Sequence, residues 1–314
     1  MLLRRLKFLA WLGGLLVIVL GGSYLFAPQW LLQANLKREA MAAHLQVHAV
    51  QAGDTRWAYY EGGEGPTIVL LHGFAADKTE WLKVAKELAP HFHLIIPDLP
   101  GWGDSSRVAG ASYTIEAQAA RLDAFVQALQ PGRFLLVGHA TGGAIAGVYA
   151  SNHSDHVAGL ALLDSFGLKS AVNVFTRDAT ADGNPFVFDD RAGLQRAMAL
   201  AFRQPPELAG RFADVRVAHN QRDRAFIESG FEALRQPSQY LSLQSRLGRL
   251  TMPVLGLWCH DDRVMDISAL NSLRNGLVSA SAISTSVING CNHMPMLEKP
   301  EETARVLTSF ALSH

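Results

Sequence analysis

The sequence predicts an α/β fold: a mostly parallel sheet with helices on both faces, interrupted by a helical insert and preceded by one membrane-spanning helix. Three observations predict it. Short runs rich in Val, Ile and Leu alternate with helical patterns from Val47 to Leu163 and again from Val254 onward. Between Ser165 and Gly248 the alternation stops and the pattern is mostly helical. Phe8 to Phe26 is an apolar stretch without a charge.

The apolar stretch would span roughly 28 Å as a helix at ~1.5 Å per residue, close to the hydrocarbon thickness of a bilayer. Arg4, Arg5 and Lys7 precede it. By the positive-inside rule the N-terminus stays cytoplasmic and everything after Phe26 crosses, so the expectation is a single-pass protein with the larger part of the chain on the far side of the membrane. A cleavable signal peptide is the rival reading, because Gly21-Gly22-Ser23 offers small residues; the apolar run continuing through Tyr24, Leu25 and Phe26 argues against it. Ala27 to Leu45 reads as a helix with Pro28 at its first position. It could lie on the bilayer or pair with a second copy. Gly13-Gly14 and Gly21-Gly22 permit close helix contact, so a homodimer through the N-terminal helices is a reasonable expectation.

From Val47 the elements follow in order. Thr55–Glu61 alternates like a half-buried strand, and 68–71 is a short run of the kind buried in parallel sheets. Then come a helix over 78–88, a strand at 94–96, an amphipathic helix over 115–129, a strand at 134–137, a helix over 142–150 and a strand at 160–163. After the insert, strands at 254–258 and 284–288 and helices over 267–274 and 300–310 complete the pattern. The expected organisation is an anchor and juxtamembrane helix (1–45), a core (46–164 and 249–314) and a helical lid (165–248) over the strand ends, where ligands bind in this architecture.

Of the 314 residues, 49% are hydrophobic and 18% charged, which suits a buried core and argues against disorder. Lys+Arg and Asp+Glu balance at 28 each, so the chain lacks the electrostatic footprint of a nucleic-acid binder. Cys259 and Cys291 form no zinc-type spacing, and no metal or cofactor is expected. They sit at the ends of two strands expected to be neighbours. A disulfide is conceivable outside the cytoplasm, but two buried thiols are the expectation, because bridging needs a narrow Cα spacing.

The chemistry-bearing motif is Gly138-His139-Ala140-Thr141-Gly142-Gly143, between a strand and a helix. That is the context of the nucleophile elbow, G-x-S-x-G, whose tight turn lifts the middle side chain to the mouth of a site. The middle residue here is Ala140. His72-Gly73-Phe74 follows the Ile68 strand, where such a loop supplies one N–H of an oxyanion hole; the residue after the apex supplies the other, which assigns Phe74 and Thr141. Asp261-Asp262 ends the strand after the insert and His293 follows the last strand, giving the order apex, acid, His.

With HGF, DLPGWGDS, GHxxGG, WxxxD and GCxHxPxxExPE in this order, the sequence resembles the α/β-hydrolase superfamily from about Ala49 to His314. Within it the motifs look like bacterial lipases and esterases, nearest to the membrane-anchored lipases and phospholipases related to monoacylglycerol lipases. The resemblance implies an α/β-hydrolase fold with a sheet of the eight-stranded type, a lipid or fatty-acyl ester as substrate, and the bilayer as partner. It also implies His293 as general base and Asp262 as its orienting acid, with Asp261 and Asp164 as rival acids.

Ala140 departs from that family, since a methyl group cannot attack a carbonyl. Three readings follow: a Ser→Ala variant that traps substrate or product, favoured because base, acid and oxyanion loop look intact; a natural inactive relative that binds lipid; and Thr141 acting as nucleophile, disfavoured because its side chain should point away from His293. Cleavage of a C–C bond in diketones uses the same triad, but the membrane anchor argues against it. His139 is expected to pack in the loop and His72 to brace the oxyanion loop. His91 and His93 alternate across a strand start and make a poor metal pair. The aromatics of 165–248 are expected to divide between an acyl pocket and the insert's own core.

Overall fold

The computed structural model describes residues 2–181 and 183–314. Helix α1 (Leu2–Phe26) buries none of its residues, and Leu2, Phe8, Trp11, Val17 and Ile18 are all more than half exposed. It is long and apolar enough to cross a membrane, with a mean hydropathy of 2.0. Helix α2 (Pro28–Ala42) starts at Pro28 and ends earlier than the expected Leu45. His44 adopts a left-handed conformation (φ 55°) that turns the chain, and Leu45 opens a strand instead.

That strand, β1 (Leu45–Ala52), was not separated from the helix by its sequence pattern. It lies at the sheet edge with most side chains half-buried or exposed, so its hydrophobic signal is weak. It forms an antiparallel hairpin with β2 (Thr55–Gly62). The chain continues through β3 (Thr67–Leu71), α3 (Leu82–Leu88), β4 (His93–Pro97), α4 (Ile115–Leu129), β5 (Phe134–His139), α5 (Thr141–Asn152) and β6 (Val157–Leu163). The expected helix over 78–88 divides into a 3-10 turn, Lys78–Trp81, and α3, with Asp77 capping the turn by accepting from Thr79 N–H. Helices α6 (Val174–Ala181), α7 (Arg191–Ala201), α8 (Gly210–Leu234) and α9 (Pro237–Tyr240) separate β6 from β7 (Val254–Cys259). Helix α10 (Ala269–Gly276), β8 (Ile283–Ile288), α11 (Pro295–Glu298) and α12 (Pro300–Ser313) complete the chain.

The eight strands form one sheet in the order β1-β2-β4-β3-β5-β6-β7-β8. Pairing is antiparallel for β1–β2 and β2–β4 and parallel from β4 to β8. Both faces are buried, so a central strand is apolar at every position. In β3, Val69 and Leu71 join the core that holds Trp57, Phe125 and Trp258, whereas Ile68 and Leu70 join the one that holds Trp81 and Phe92. Strands β4 and β5 flank β3 on opposite sides, which makes the carboxyl ends of β3 and β5 the switch point where such sheets bind ligands.

Helices α6 to α9 lie over those ends. Leu194, Ala213 and Val217 make a small core within this insert. Its aromatics divide: Phe226 packs on Trp102 and Tyr113, and Phe212 meets Tyr24 of α1 edge-on at 5.4 Å. Phe175, Phe186 and Phe231 line the cavity beneath.

One expectation is overturned. Cys259 and Cys291 are joined by a disulfide rather than being free thiols. Cys259 pairs in register with Ile288, and the chain then turns back at Gly290 (φ 75°), which brings the two Cα atoms to 5.3 Å, within bridging range.

Candidate active site

Ala140 crowns the turn between β5 and α5 with φ 47° and ψ −117°, a region that non-glycine residues rarely occupy. Such strain costs on the order of 1–3 kcal/mol and persists only where the surroundings enforce it. Here Ala140 N–H donates to Leu163 O at 3.0 Å, and Ala140 O accepts from Phe166 N–H at 3.0 Å, so β6 and the loop after it clamp the apex. The turn is also possible only with glycine beside it: a Cβ on Gly138 would lie 2.3 Å from Gly142 O, and one on Gly142 2.3 Å from His72 O. The helix begins at Thr141, whose N–H therefore has no partner within α5.

The loop after β3 faces this apex. A Cβ on Gly73 would stand 3.2 Å from the Ala140 methyl. His72 braces the loop as expected: Leu99 N–H donates to its Nε2 at 2.9 Å, and its Nδ1 donates to Gly73 O at 2.8 Å. Phe74 turns its ring toward Trp102, Phe186 and Phe231, tying the loop to the insert.

His293 Nδ1 lies 3.0 Å from Asp262 Oδ2, and both side chains are almost fully buried. The other oxygen, Oδ1, accepts from the N–H groups of Val264 (2.7 Å) and Met265 (2.9 Å), which fixes the carboxylate's orientation. Asp261 points elsewhere, to His260 and Arg203; those two partners lower its pKa, the His260 hydrogen bond most of all. The rival Asp164 is fully buried next to Asp262, and burial followed by the charge of Asp262 pushes its pKa well up. Ala140, Thr141, Phe74 and His293 all line one open cavity of about 2400 Å³.

Three further contacts support this arrangement. His139, buried beneath the apex, bonds the backbone of His293 and faces Glu80. Asn292 and Glu298 fasten the His293 loop to the end of α7. Lys78 is buried between Asp98 and Asp104 at 2.6 Å from each; burial pulls its pKa down, but the two carboxylates outweigh that and hold it above its ordinary value. This pairing is what the DLPGWGDS turn builds. As for metals, Asp123, His153 and His156 are the one trio among the described residues with ligand atoms within 4.8 Å of one another. The two imidazoles stack 14° from parallel, so their lone pairs do not converge, and the trio flanks the start of β6, away from the cavity.

A strained apex after β5, a facing loop after β3 and a buried His–Asp pair after β8 and β7 are the layout of one known architecture, and the profile described as the alpha/beta hydrolase fold matches residues 66–300. The chain belongs to the α/β-hydrolase fold family. Its relatives place it among the hydrolases of lipase and esterase type. It is 28% identical to human monoacylglycerol lipase ABHD6 over 314 residues, covering 95% of this chain and 91% of that protein. It is 28% identical to Lipase 1 of Psychrobacter immobilis, covering 88% of each. Among solved structures, a membrane phospholipase A described as a bacterial virulence factor is 36% identical, with a TM-score of 0.86 and 97% of each chain covered.

Proposed function

We propose that this hydrolase descends from a serine carboxylic-ester hydrolase acting on lipid esters at a membrane, and that Ala140 stands where the nucleophilic serine would stand. The observation that carries the reading is the company Ala140 keeps: a strained apex, a facing oxyanion loop and a buried His293–Asp262 pair, all around one cavity. A chain that only bound lipid would have no need of that strain. We take Ala140 as a Ser→Ala substitution, with the rest of the machinery kept.

In the serine form, Oγ of residue 140 attacks the ester carbonyl carbon while His293 Nε2 takes its proton. The N–H groups of Phe74 and Thr141 hold the developing oxyanion. His293 returns the proton to the leaving alcohol, then draws one from water, which attacks the acyl-enzyme and frees the acid. Asp262 keeps the imidazole in the required tautomer throughout.

A lipid substrate fits the cavity. It extends past the apex along Phe175, Phe186 and Phe231 and reaches Leu32, Leu36 and Ala40 on α2, next to the helix that suits a membrane anchor. We read residues 165–248 as its lid, and the location as a bacterial inner membrane, single-pass, with the hydrolase part on the periplasmic side. The Cys259–Cys291 disulfide suits that compartment. The open space around Gly13, Gly14, Gly21 and Gly22 leaves α1 free to meet a second copy; cross-linking in membranes tests this.

The experiment is hydrolysis of p-nitrophenyl esters, monoacylglycerol and phosphatidylcholine by the Ala140 chain and by Ala140→Ser. We expect a gain of roughly 10³-fold or more on restoring the hydroxyl. A folded but silent Ala140→Ser protein would sink the reading and favour the second one, a natural non-catalytic lipid binder.

A further inference from the structure

Next to Asp262 lies a second carboxyl group that the mechanism leaves unused. Asp164 follows β6 with its side chain fully buried. Its backbone is fixed in the left-handed region (φ 43°), with its N–H donating to Leu257 O at 3.0 Å. Its Oδ1 accepts from Cys259 N–H at 2.9 Å. Its Oδ2 is buried with no other donor to accept from, and the carboxyl faces Asp262 within hydrogen-bonding reach.

Two ionised carboxylates cannot share that space, because neither has a proton to offer and their charges repel. One proton must lie between them. Asp262 already accepts from Val264 N–H, Met265 N–H and His293 Nδ1, a set of donors that stabilises an anion. Asp164 accepts only one backbone N–H, and the charged groups facing it are Asp262 and, further off, Glu298, both acidic. The proton therefore resides on Asp164.

We propose that Asp164 is a positioning residue for the triad acid: its neutral carboxyl donates from Oδ2 to Asp262 and sets how strongly Asp262 holds and polarises the His293 ring. The chain of bonds runs Asp164 Oδ2–H to Asp262, then Asp262 Oδ2 to His293 Nδ1–H. A donor on Asp262 spreads its negative charge, so the imidazolium of His293 is stabilised less than it would be beside a carboxylate lacking that donor. Asp164 keeps the base from becoming too basic for turnover near neutral pH. Its backbone bonds to β7 hold it where it can do this without meeting His293.

The catalytic meaning of this assignment rests on the esterase reading, but its test does not. His293 is titrated by NMR of 13Cε1-labelled histidine in the full chain with Ala140, in detergent micelles. Asp164→Ala removes the donor and should raise the His293 midpoint by about one pH unit. Asp164→Asn keeps a donor, its Nδ2–H, and an acceptor for Cys259 N–H, so it should leave that midpoint within about 0.3 unit, a small fraction of a charge effect. An ionised Asp164 predicts the opposite for Asn, a fall on losing a negative charge, and that result would overturn the proposal. So would an Asp164→Ala protein whose His293 titrates unchanged. Should Asp164→Ala not fold, the 13Cγ signal of Asp164 in the parent chain decides instead. It should stay that of a carboxylic acid through and above the ordinary Asp range, and deprotonation within that ordinary range overturns the assignment. In Ala140→Ser, the acid limb of kcat/KM should shift with Asp164→Ala and hold with Asp164→Asn; a silent Ala140→Ser condemns the esterase reading while the NMR result stands.

Discussion

The Nε2–H of His139 donates to the backbone carbonyl of His293 at 2.8 Å, so the residue just before the Ala140 turn holds the loop that carries His293. A carbonyl only accepts, which places a proton on Nε2. The Nδ1 side faces Glu80 Oε1 at 3.4 Å, and both groups are nearly fully buried. The turn at Ala140 and the His293 loop are therefore tied directly to each other.

Removing that link tests its role. In an Ala140→Ser background, His139→Ala should lower kcat by about tenfold with little change in KM, the scale of one misplaced hydrogen-bonding contact at ~1–1.5 kcal/mol. His139→Gln, which can still donate, should recover part of the loss. Steady-state kinetics on a short-chain ester measure both, and an equal rise in KM for both variants would point to damaged binding instead.

Lys78 gives a stability prediction. Asp98 is buried at 0% exposure; burial raises its pKa, and Lys78 opposes the rise. The fit is tight, because a Cβ on Gly103 would touch the Asp98 carboxylate. Lys78→Met leaves that acid buried without its cation, a loss of about 3–5 kcal/mol. Urea unfolding should show the midpoint falling with an unchanged slope. Lys78→Met with Asp98→Asn should recover much of it, since the uncompensated charge is then gone.

The disulfide joins the end of β7 to the segment just before His293, and it encloses Asp262 in its loop. Replacing both cysteines by serine should cost about 4 kcal/mol on the chain-entropy estimate for a loop of this length. Thermal melts with and without reductant should reproduce the difference in the parent and show none in the double variant.

The large features were legible because each is local. The Gly138–Gly143 turn, the HGF loop, the interrupted strand–helix alternation and the apolar run each lie in one contiguous stretch. The motif points to Asp262 rather than Asp261, and it is Asp262 that meets His293, with two backbone N–H groups converging on it, while Asp261 turns outward to Arg203. What was illegible depends on pairs distant in sequence. Nothing near Glu80 announces His139, and nothing near Asp164 announces that the rival acid sits next to the chosen one. The disulfide needed the Gly290 turn, and β1 was masked because an edge strand needs few apolar residues.

Asp164 also makes stability depend on pH. Burial and the neighbouring Asp262 raise its folded pKa, whereas in the unfolded chain it loses its proton near pH ~4. Above that point the folded state binds the extra proton, so stability falls as pH rises. The contribution of Asp164 is complete below about pH 4 and is lost as pH rises toward its folded value. Asparagine carries no such liability. The Tm advantage of Asp164→Asn should therefore widen as pH rises above about 4, by about 2–4 °C for each ~1 kcal/mol. A constant difference across that range would mean that Asp164 is ionised in the fold.

The last support of the base is a clamp made by Glu298. Its Oε2 accepts from Asn292 N–H at 2.8 Å, and its Oε1 accepts from the N–H groups of Arg203 (2.9 Å) and Gln204 (3.3 Å). Asn292 adds a bond from its Nδ2 to Leu200 O, and His293 N–H donates to Ala201 O at 3.0 Å. The loop that carries His293 is thus stitched to the end of α7. Glu298→Gln keeps the shape but turns one acceptor into a donor facing N–H groups. The cost is about 1–3 kcal/mol for a group left unpaired. Because the clamp has two ends, amide exchange should speed up both at 200–204 and at 291–293. Faster exchange at one end alone would show that insert and base loop are held independently.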